Sequence, residues 1–427
     1  MAKPGPKTQS IDGFKGLDNK LQPERTDQEY LKEVVNFDID GAGGLLKRKG
    51  YTPVYSGTNV HSVFSQGSDT YFVDDGTLKY MFPNYTTVNM RTDCHDRIDY
   101  VGVNGDIYFT SQSATGVIAS RSVRSFGLAI PTSTGILSEG ATGRLSPGRY
   151  QFVYSYVDDD GRESGTSLSS YIDVVNSKAS ITVTNINPSS DSSVSAIRLY
   201  ISTVNGMELY HLTDVAANTT GYVIGDVSQL SNPLENFGIQ PAPTGDLITH
   251  YNGRVYIADG NIVYASEPFS YDWFRLHKDF MQFDSRVVML MPVQTGLYVG
   301  TETGVFYLNG SDISAFKMDQ KEVCSPVMFS NVLIPSGYIR IDNTPAGPKW
   351  LFTSDEGIYV CMNQGLMFNV TAEHVLFPKG LEGAAAFVQQ NGVNKYVSLI
   401  KDQGSNNRMG VGDLVTAELI RNGVLIP

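Results

Sequence analysis

The amino-acid sequence predicts an all-β protein, and three observations support this. The 427 residues include 42 Gly, 24 Tyr and 20 Phe, and glycine suits turns whereas aromatic side chains suit pleated sheets. Hydrophobic residues make up 41% of the chain, which is enough for a large buried core. Short alternating apolar runs are separated by Asp-Gly and related turns, a pattern typical of β-hairpins.

A short unit recurs along the chain, with an aromatic-bearing strand, a turn that contains Gly and a second apolar strand. Its aromatic anchors are Tyr71, Tyr108, Tyr256, Tyr298, Trp350 and Tyr396. Apart from one long interval, the anchors lie about 40–50 residues apart, a spacing typical of the blades of a β-propeller. We therefore expect a β-propeller of about six blades, whose first or last blade is completed by strands from the opposite terminus.

The long interval predicts a separate module. Proline-rich segments flank it, and alternating runs such as 150–157, 180–184 and 196–201 follow one another with turns between them. This pattern predicts an immunoglobulin-like or fibronectin type III-like β-sandwich, inserted in a surface loop of the propeller. The predicted organisation is an N-terminal arm (1–50), a first propeller part (51–130), the insert (131–243) and a second propeller part (244–427).

The first 50 residues fit neither module. Residues 27–35 are expected to form one or two helical turns with Asp27 as N-cap, and residues 36–41 then turn. Two arrangements remain open for this extended arm. It reaches onto a neighbouring subunit, or it supplies a strand that closes the propeller ring.

The charge balance constrains the partners. The net charge is −12, which argues against tight nucleic-acid binding because Lys and Arg supply most of that affinity. Lys47, Arg48 and Lys49 form the one basic run. Such a run is usually a solvated face, and the alternative is a local contact with DNA phosphates or with an acidic partner.

The cysteines and the apolar segments predict the compartment. The three cysteines are far apart and form no CxxC motif, so a reducing compartment is expected. No signal sequence and no run of about 20 apolar residues is present. We therefore expect no membrane partner.

The sequence contains no motif that points to catalysis or to a cofactor. HExxH, GxSxG, GxxxxGK[ST] and GxGxxG are absent, and the six histidines are expected to be structural. The acidic turns at 38–41 and 158–161 offer oxygen ligands for Ca²⁺ but lack EF-hand spacing. Residues 353–357 match part of the Asp-box of sialidase-type propellers. We expect a protein that is not an enzyme and that holds no metal and no cofactor.

Several segments carry a resemblance to a known family. Residues 16–19 (GLDN), 36–41 (NFDIDG) and 44–51 (GLLKRKGY) resemble the opening of phage virion proteins of the tail-nozzle and packaged-DNA stabilisation type. Residues 265–269 with Trp273, and residues 297–308, are similar to a second stretch of these proteins. Together the matching segments cover about a quarter of the chain.

The resemblance implies a structural virion protein of a short-tailed phage. It would form a hexameric ring below the portal and the head–tail adaptor protein, line the lower tail channel, and retain packaged DNA until ejection. It would also carry tail fibres, a spike or a needle, with assembly in the host bacterial cytoplasm. The composition agrees with this, because an acidic lumen repels passing DNA and few charges with many tyrosines suit permanent interfaces.

Two other functions stay open. A propeller that binds a host glycan or receptor would expose aromatic side chains in several blades, but the chain has only Trp273 and Trp350 as tryptophans. A propeller glycoside hydrolase would need two carboxylates at a set separation, and the sequence does not place any pair relative to the propeller axis.

Overall fold

The computed structural model describes residues 11–40, 42–50, 52–339, 347–377, 380–390, 393–402, 414–421 and 424–425. Within these ranges the chain forms 36 β-strands and two short 3₁₀ helices, Pro23–Arg25 and Asn363–Gly365. The prediction of an all-β protein is confirmed.

The N-terminal segment, defined here as residues 11–50, contacts other parts of the same chain. Its strands are β1 (Gly16–Leu17), β2 (Tyr30–Leu31), β3 (Phe37–Ile39) and β4 (Leu45–Lys47). β1 pairs in parallel with β2, and β3 pairs antiparallel with β4. Among the described residues, none of these four strands pairs with a strand from outside the segment.

Side chains of the N-terminal segment bind a loop near the other end of the chain. The Leu376 N–H donates to Asn19 Oδ1 (2.7 Å), and Asn19 Nδ2 donates to the Leu376 carbonyl (3.1 Å). His374 Nδ1 lies 3.2 Å from the buried carboxylate of Asp18. These contacts therefore fasten the segment to the loop that contains His374 and Leu376.

The helical turns expected at residues 27–35 are wrong. Tyr30 lies in strand β2, and its N–H donates to the Asp27 carbonyl in a single tight turn. The Tyr30 ring stacks on His374 with the ring centres 4.8 Å apart. This contact with a distant residue outweighs the weak local helix propensity.

Two four-stranded antiparallel sheets precede the insert. Sheet 1 contains β5 (His61–Gln66), β6 (Asp69–Asp74), β7 (Thr77–Met81) and β8 (Thr87–Arg91). Sheet 2 contains β9 (Asp99–Val103), β10 (Asp106–Thr110), β11 (Thr115–Ala119) and β12 (Ser122–Arg124). In both sheets each strand pairs with the next one along the chain, so both are simple meanders.

The insert consists of two antiparallel sheets that share one core. The first has the order β13 (Ile136–Leu145), β16 (Ala179–Thr184), β19 (Tyr222–Ile224). The second has the order β15 (Ser170–Val174), β14 (Gly148–Asp158), β17 (Val194–Ser202), β18 (Leu209–Ala216). Fully buried side chains from both sheets pack together, including Phe152, Ile181 and Leu199. The kinship with immunoglobulin or fibronectin type III domains, and the boundaries 131–243, stay predictions.

Four more sheets follow the insert. Sheet 3 contains β20 (Leu247–Tyr251), β21 (Arg254–Asp259), β22 (Ile262–Glu267), β23 (Ser270–Phe274) and β24 (Phe280–Gln282). Sheet 4 contains β25 (Val287–Val293), β26 (Gly296–Thr301), β27 (Gly304–Asn309) and β28 (Lys317–Glu322). Sheet 5 contains β29 (Val332–Ile334), β30 (Lys349–Ser354), β31 (Gly357–Cys361) and β32 (Met367–Asn369). Sheet 6 contains β33 (Gly380–Gln390), β34 (Val393–Asp402), β35 (Leu414–Arg421) and β36 (Val424–Leu425).

The first strands of neighbouring sheets contact one another: β5 with β9, β9 with β20, β20 with β25, and β29 with β33. First strands are therefore innermost, as in a β-propeller, and the predicted propeller class is confirmed. Apolar clusters fill the spaces between consecutive sheets. The number of blades stays a prediction, because sheet 6 ends in residues that the structure describes only in part.

Every aromatic anchor of the predicted repeat occupies the same place in its sheet. Tyr71, Tyr108, Tyr256, Tyr298, Trp350 and Tyr396 lie in β6, β10, β21, β26, β30 and β34. These are the second strands of the six sheets. The repeat seen in the sequence thus corresponds to the second strand of each sheet, with Tyr71, Tyr108, Tyr256 and Tyr298 packed toward the following sheet and Trp350 and Tyr396 toward the preceding one.

Candidate functional site

The basic run of the N-terminal segment divides into two kinds of residue. Lys47 and Lys49 are exposed. Arg48 is half-buried, with its Nε 3.5 Å from Asp38 Oδ1, and the other oxygen of Asp38 lies 2.8 Å from Lys395 Nζ in β34. Asp38 therefore connects the segment to sheet 6 through Lys395, and Arg48 pairs with Asp38 within the segment, whereas Lys47 and Lys49 face solvent.

A cluster of ionisable side chains lies at the inner strands. His61 comes from β5, Asp99 from β9 and Glu382 from β33, and Arg97 lies two residues before Asp99, the first residue of β9. We call these four residues the axial cluster. The structure thus brings together residues separated by more than 300 positions, which no local sequence pattern indicates.

The charged groups of the axial cluster are bound to backbone. Arg97 Nη1 donates to the Gly383 carbonyl (2.7 Å), and its guanidinium lies 3.8 Å from the Phe329 ring centre, a close cation–π contact. Asp99 Oδ2 accepts a hydrogen bond from the Ile248 N–H in β20 (2.9 Å). These contacts tie the inner strands of separate sheets to one another.

The electrostatics of the axial cluster are set by burial. Burial raises the pKa of Asp99 to about 6, although the N–H donors of Ile248 and Tyr100 and the charge of Arg97 oppose this shift. Burial lowers the pKa of His61, and the positive charge of Arg97 adds to the effect. At neutral pH the cluster therefore contains an ionised Asp99 beside Arg97, with a neutral His61.

The acidic turns stabilise their own backbone. Asp40 Oδ1 accepts hydrogen bonds from the N–H groups of Ala42 (2.9 Å) and Gly44 (2.7 Å). Asp158 Oδ1 accepts one from the Arg162 N–H (2.8 Å), and its other oxygen lies 2.6 Å from the Arg162 guanidinium. Within the part of the chain that the structure describes, no group of three or more His, Cys, Asp or Glu side chains is placed to hold a metal ion.

The partial Asp-box forms an ordinary hairpin between β30 and β31. The Ser354 hydroxyl donates to the Gly357 carbonyl (3.2 Å), and Asp355 Oδ1 accepts from the Ser325 N–H (2.8 Å). Thr353 Oγ1 lies 2.9 Å from the Tyr396 hydroxyl in β34. The first two contacts stabilise the hairpin and the loop beside it, and the third connects sheet 5 with sheet 6.

A charged network joins the insert to the propeller. The carboxylate of Asp272 in β23 forms two ion pairs. One is with Arg124 Nη1 in β12 (3.1 Å), and the other is with Arg162 Nη1 in the insert (3.4 Å). Beside it, Trp273 Nε1 donates to the Glu163 carbonyl (2.8 Å). Sequence reasoning missed this network, because Asp272 and Trp273 lie more than 100 residues from their partners and form no motif with them.

The side chain of Glu163, whose carbonyl accepts the Trp273 hydrogen bond, binds other residues of the insert. One carboxylate oxygen accepts hydrogen bonds from Ser155 Oγ (2.5 Å), the Tyr200 hydroxyl (2.8 Å) and Asn236 Nδ2 (2.8 Å). The other lies 2.9 Å from Arg198 Nη1. This carboxylate therefore joins four side chains, and it acts as a fixed support.

Comparisons with known proteins give matches in structure alone. No family model and no curated protein matches the chain. A crystal structure of BBS1N in complex with ARL6DN matches with a TM-score of 0.33 and 11% identity, covering 82% of this chain and 93% of that one. A catalytically inactive virginiamycin B lyase from Staphylococcus aureus, solved with quinupristin, matches with a TM-score of 0.32 and 12% identity, covering 84% and 94%.

A third similar structure is apo AztD from Citrobacter koseri, with a TM-score of 0.31 and 11% identity, covering 75% of this chain and 74% of that one. All three TM-scores lie below 0.5, so these likenesses carry no argument about activity. No helix in the described ranges has the length and apolar character needed to cross a bilayer.

Proposed function

We propose that the chain is a structural, non-enzymatic component of a phage tail. In this role it forms a ring, most simply a hexamer, below the portal and the head–tail adaptor protein, around the passage that viral DNA takes during ejection. The tail fibres, spike or needle dock on its periphery. The single observation that carries the proposal is the exposed apolar surface of the insert.

That surface lies at one end of the sheet that contains β14 and β15. Met207 is 88% exposed and Val175 75%, whereas Leu168, which is 78% exposed, precedes β15 at the opposite end of that strand. Val175 directly follows β15, and Met207 lies in the β17–β18 hairpin, whose Asn205 binds the backbone of Arg149 next to the end of β15. Large exposed apolar patches mark surfaces that a partner covers, so this end of the insert suits contact with another virion protein.

The charges support the same role. A net charge of −12 disfavours a firm grip on DNA, which a conduit must let slide. Lys47 and Lys49 are exposed on the N-terminal segment, the segment that carries the resemblance to tail proteins. We propose that they contact DNA or an acidic surface of the adaptor.

The proposal is tested by mass spectrometry of phage particles purified from cells that produce the chain, with electron microscopy of particles labelled by an antibody against it. We expect the chain in mature particles, at the tail and in multiples of six copies. Its absence from particles would overturn the proposal. A host membrane protein carried through the same purification serves as the control for contamination.

The second candidate function is a propeller that binds a glycan, and one observation favours it. A polar pocket opens between sheets 1 and 2. Its properties lead to a separate inference.

A further inference from the structure

A pocket of about 550 Å³ opens between sheets 1 and 2, a volume within the usual range of small-molecule sites. Sheet 1 contributes Gln66 and Asp69 from the turn that joins β5 to β6. Sheet 2 contributes Asn104 and Asp106 from the turn that joins β9 to β10. It also contributes Ser120 and Arg121 from the turn that joins β11 to β12. Three separate turns thus converge on one cavity.

One wall of the pocket is held in place by several contacts. Arg121 Nη2 lies 3.2 Å from Asp69 Oδ1, and the Tyr80 hydroxyl donates to the same oxygen (2.8 Å). The Arg121 guanidinium lies 5.0 Å from the centre of the Tyr80 ring. A carboxylate and a planar guanidinium are therefore oriented before any ligand arrives, which lowers the cost of binding.

Three other groups are left without partners. The side-chain amides of Gln66 and Asn104 and the hydroxyl of Ser120 make no hydrogen bond to any residue that the structure describes. Asp106 has a single ion-pair partner, Arg124, at 3.8 Å. The pocket therefore offers donors and acceptors that a polar ligand can use without breaking contacts inside the protein.

The backbone of the 120–121 turn is strained. Ser120 has φ 48° and Arg121 has φ 63°, a region that side chains adopt at a cost and that tight hairpins usually fill with Gly or Asn. Asn104 has φ 54° in the neighbouring turn. Both turns are two-residue hairpins, whose geometry calls for positive φ, and they place the side chains of Ser120, Arg121 and Asn104 at one cavity.

We propose that this pocket binds a neutral saccharide. Its two carboxylates and one guanidinium give a net charge of −1, which disfavours phosphates and other anions. Amide, carboxylate and hydroxyl groups together match sugar hydroxyls, which donate and accept. Tyr71, Ile107 and Ile118 supply the apolar part of the lining. The inference rests on these contacts alone and is independent of the proposed tail function.

The test is saturation-transfer NMR of the full chain with D-glucose, D-galactose, D-mannose and N-acetyl-D-glucosamine, followed by calorimetry for each sugar that responds. Asn104→Gly and Ser120→Gly remove pocket groups yet suit the positive φ of their turns. Losing one hydrogen bond costs about 1.4 kcal/mol, so each variant should weaken binding about tenfold. Asn252→Gly is the matched control, because Asn252 has φ 46° in the Asn-Gly turn between β20 and β21.

Binding of a sugar that both pocket variants weaken and the control retains supports the proposal. Two results overturn it: no response from any of the four sugars, or equal binding by the pocket variants and the natural sequence. Far-ultraviolet circular dichroism of each variant separates loss of binding from loss of fold.

Discussion

Two kinds of boundary occur in this molecule, and they are built from different interactions. Neighbouring sheets of the propeller meet through apolar side chains, as sheets 3 and 4 do at Leu247, Val263 and Leu297. The insert meets the propeller through ions and hydrogen bonds centred on Asp272 and Glu163. Apolar packing supplies most of the stabilisation but little direction, whereas charged hydrogen bonds fix an orientation. Apolar packing thus stabilises the propeller, and the directional contacts at the insert boundary fix the orientation of the insert relative to the propeller.

The largest effect is expected inside the propeller. Leu297 is fully buried in the cluster between sheets 3 and 4, so Leu297→Ala should lower the free energy of unfolding by about 2–5 kcal/mol. Denaturant titration followed by fluorescence measures this change. Val323→Ala is the control, because Val323 is 73% exposed and should change stability by at most about 0.5 kcal/mol. Equal effects of the two substitutions would contradict the apolar account of this boundary.

A smaller and more local effect is expected at the insert boundary. Asp272→Asn removes the charge that faces both Arg124 and Arg162, which are about one-fifth exposed. We expect a loss of about 1–3 kcal/mol, because two guanidinium groups lose their shared carboxylate in a partly dry site. Hydrogen exchange by mass spectrometry should show faster exchange in residues 131–243, with little change in sheets 4 and 5.

The control for this boundary is Asp226→Asn. Asp226 pairs with Arg144 at the surface of the insert, where the arginine side chain is 83% exposed, and surface pairs contribute little. Uniformly faster exchange across the whole chain in Asp272→Asn would show that the network supports the fold as a whole and not the boundary alone.

The same division explains what the sequence predicts and what it does not. The repeated aromatic anchors, from Tyr71 to Tyr396, predict the strands correctly, because alternation and turn residues are local features. The helical turns expected after Asp27 fail, since the stacking of Tyr30 on His374 depends on a residue from the other end of the chain. The Asp272 network and the axial cluster also depend on such distant partners, so no local pattern reports them.

Within the axial cluster, Asp99 joins the inner strands β9 and β20 through a polar contact. We expect the stability of the protein to depend on pH through this carboxyl group. Burial raises the folded-state pKa of Asp99 from 3.8 to about 6, so between these values the folded chain binds more protons at this site than the unfolded chain. The contribution of Asp99 to the free energy of unfolding is therefore fully present below about pH 4, and it is lost as the pH rises through 6. Asp99→Asn carries no such charge, so its stability should fall less over this range.

The measurement is denaturant unfolding of both proteins at several pH values from 4 to 8. The difference between the two isolates Asp99 from His61, Arg97 and Glu382, which titrate or carry charge in both. The asparagine retains a side-chain oxygen that accepts from the Ile248 N–H, so the tie between β9 and β20 persists and only the charge is removed. Parallel stability curves would contradict the raised pKa of Asp99, because this carboxyl group would then bind protons equally in the folded and unfolded chains, while its hydrogen bond from the Ile248 N–H would still join β9 to β20.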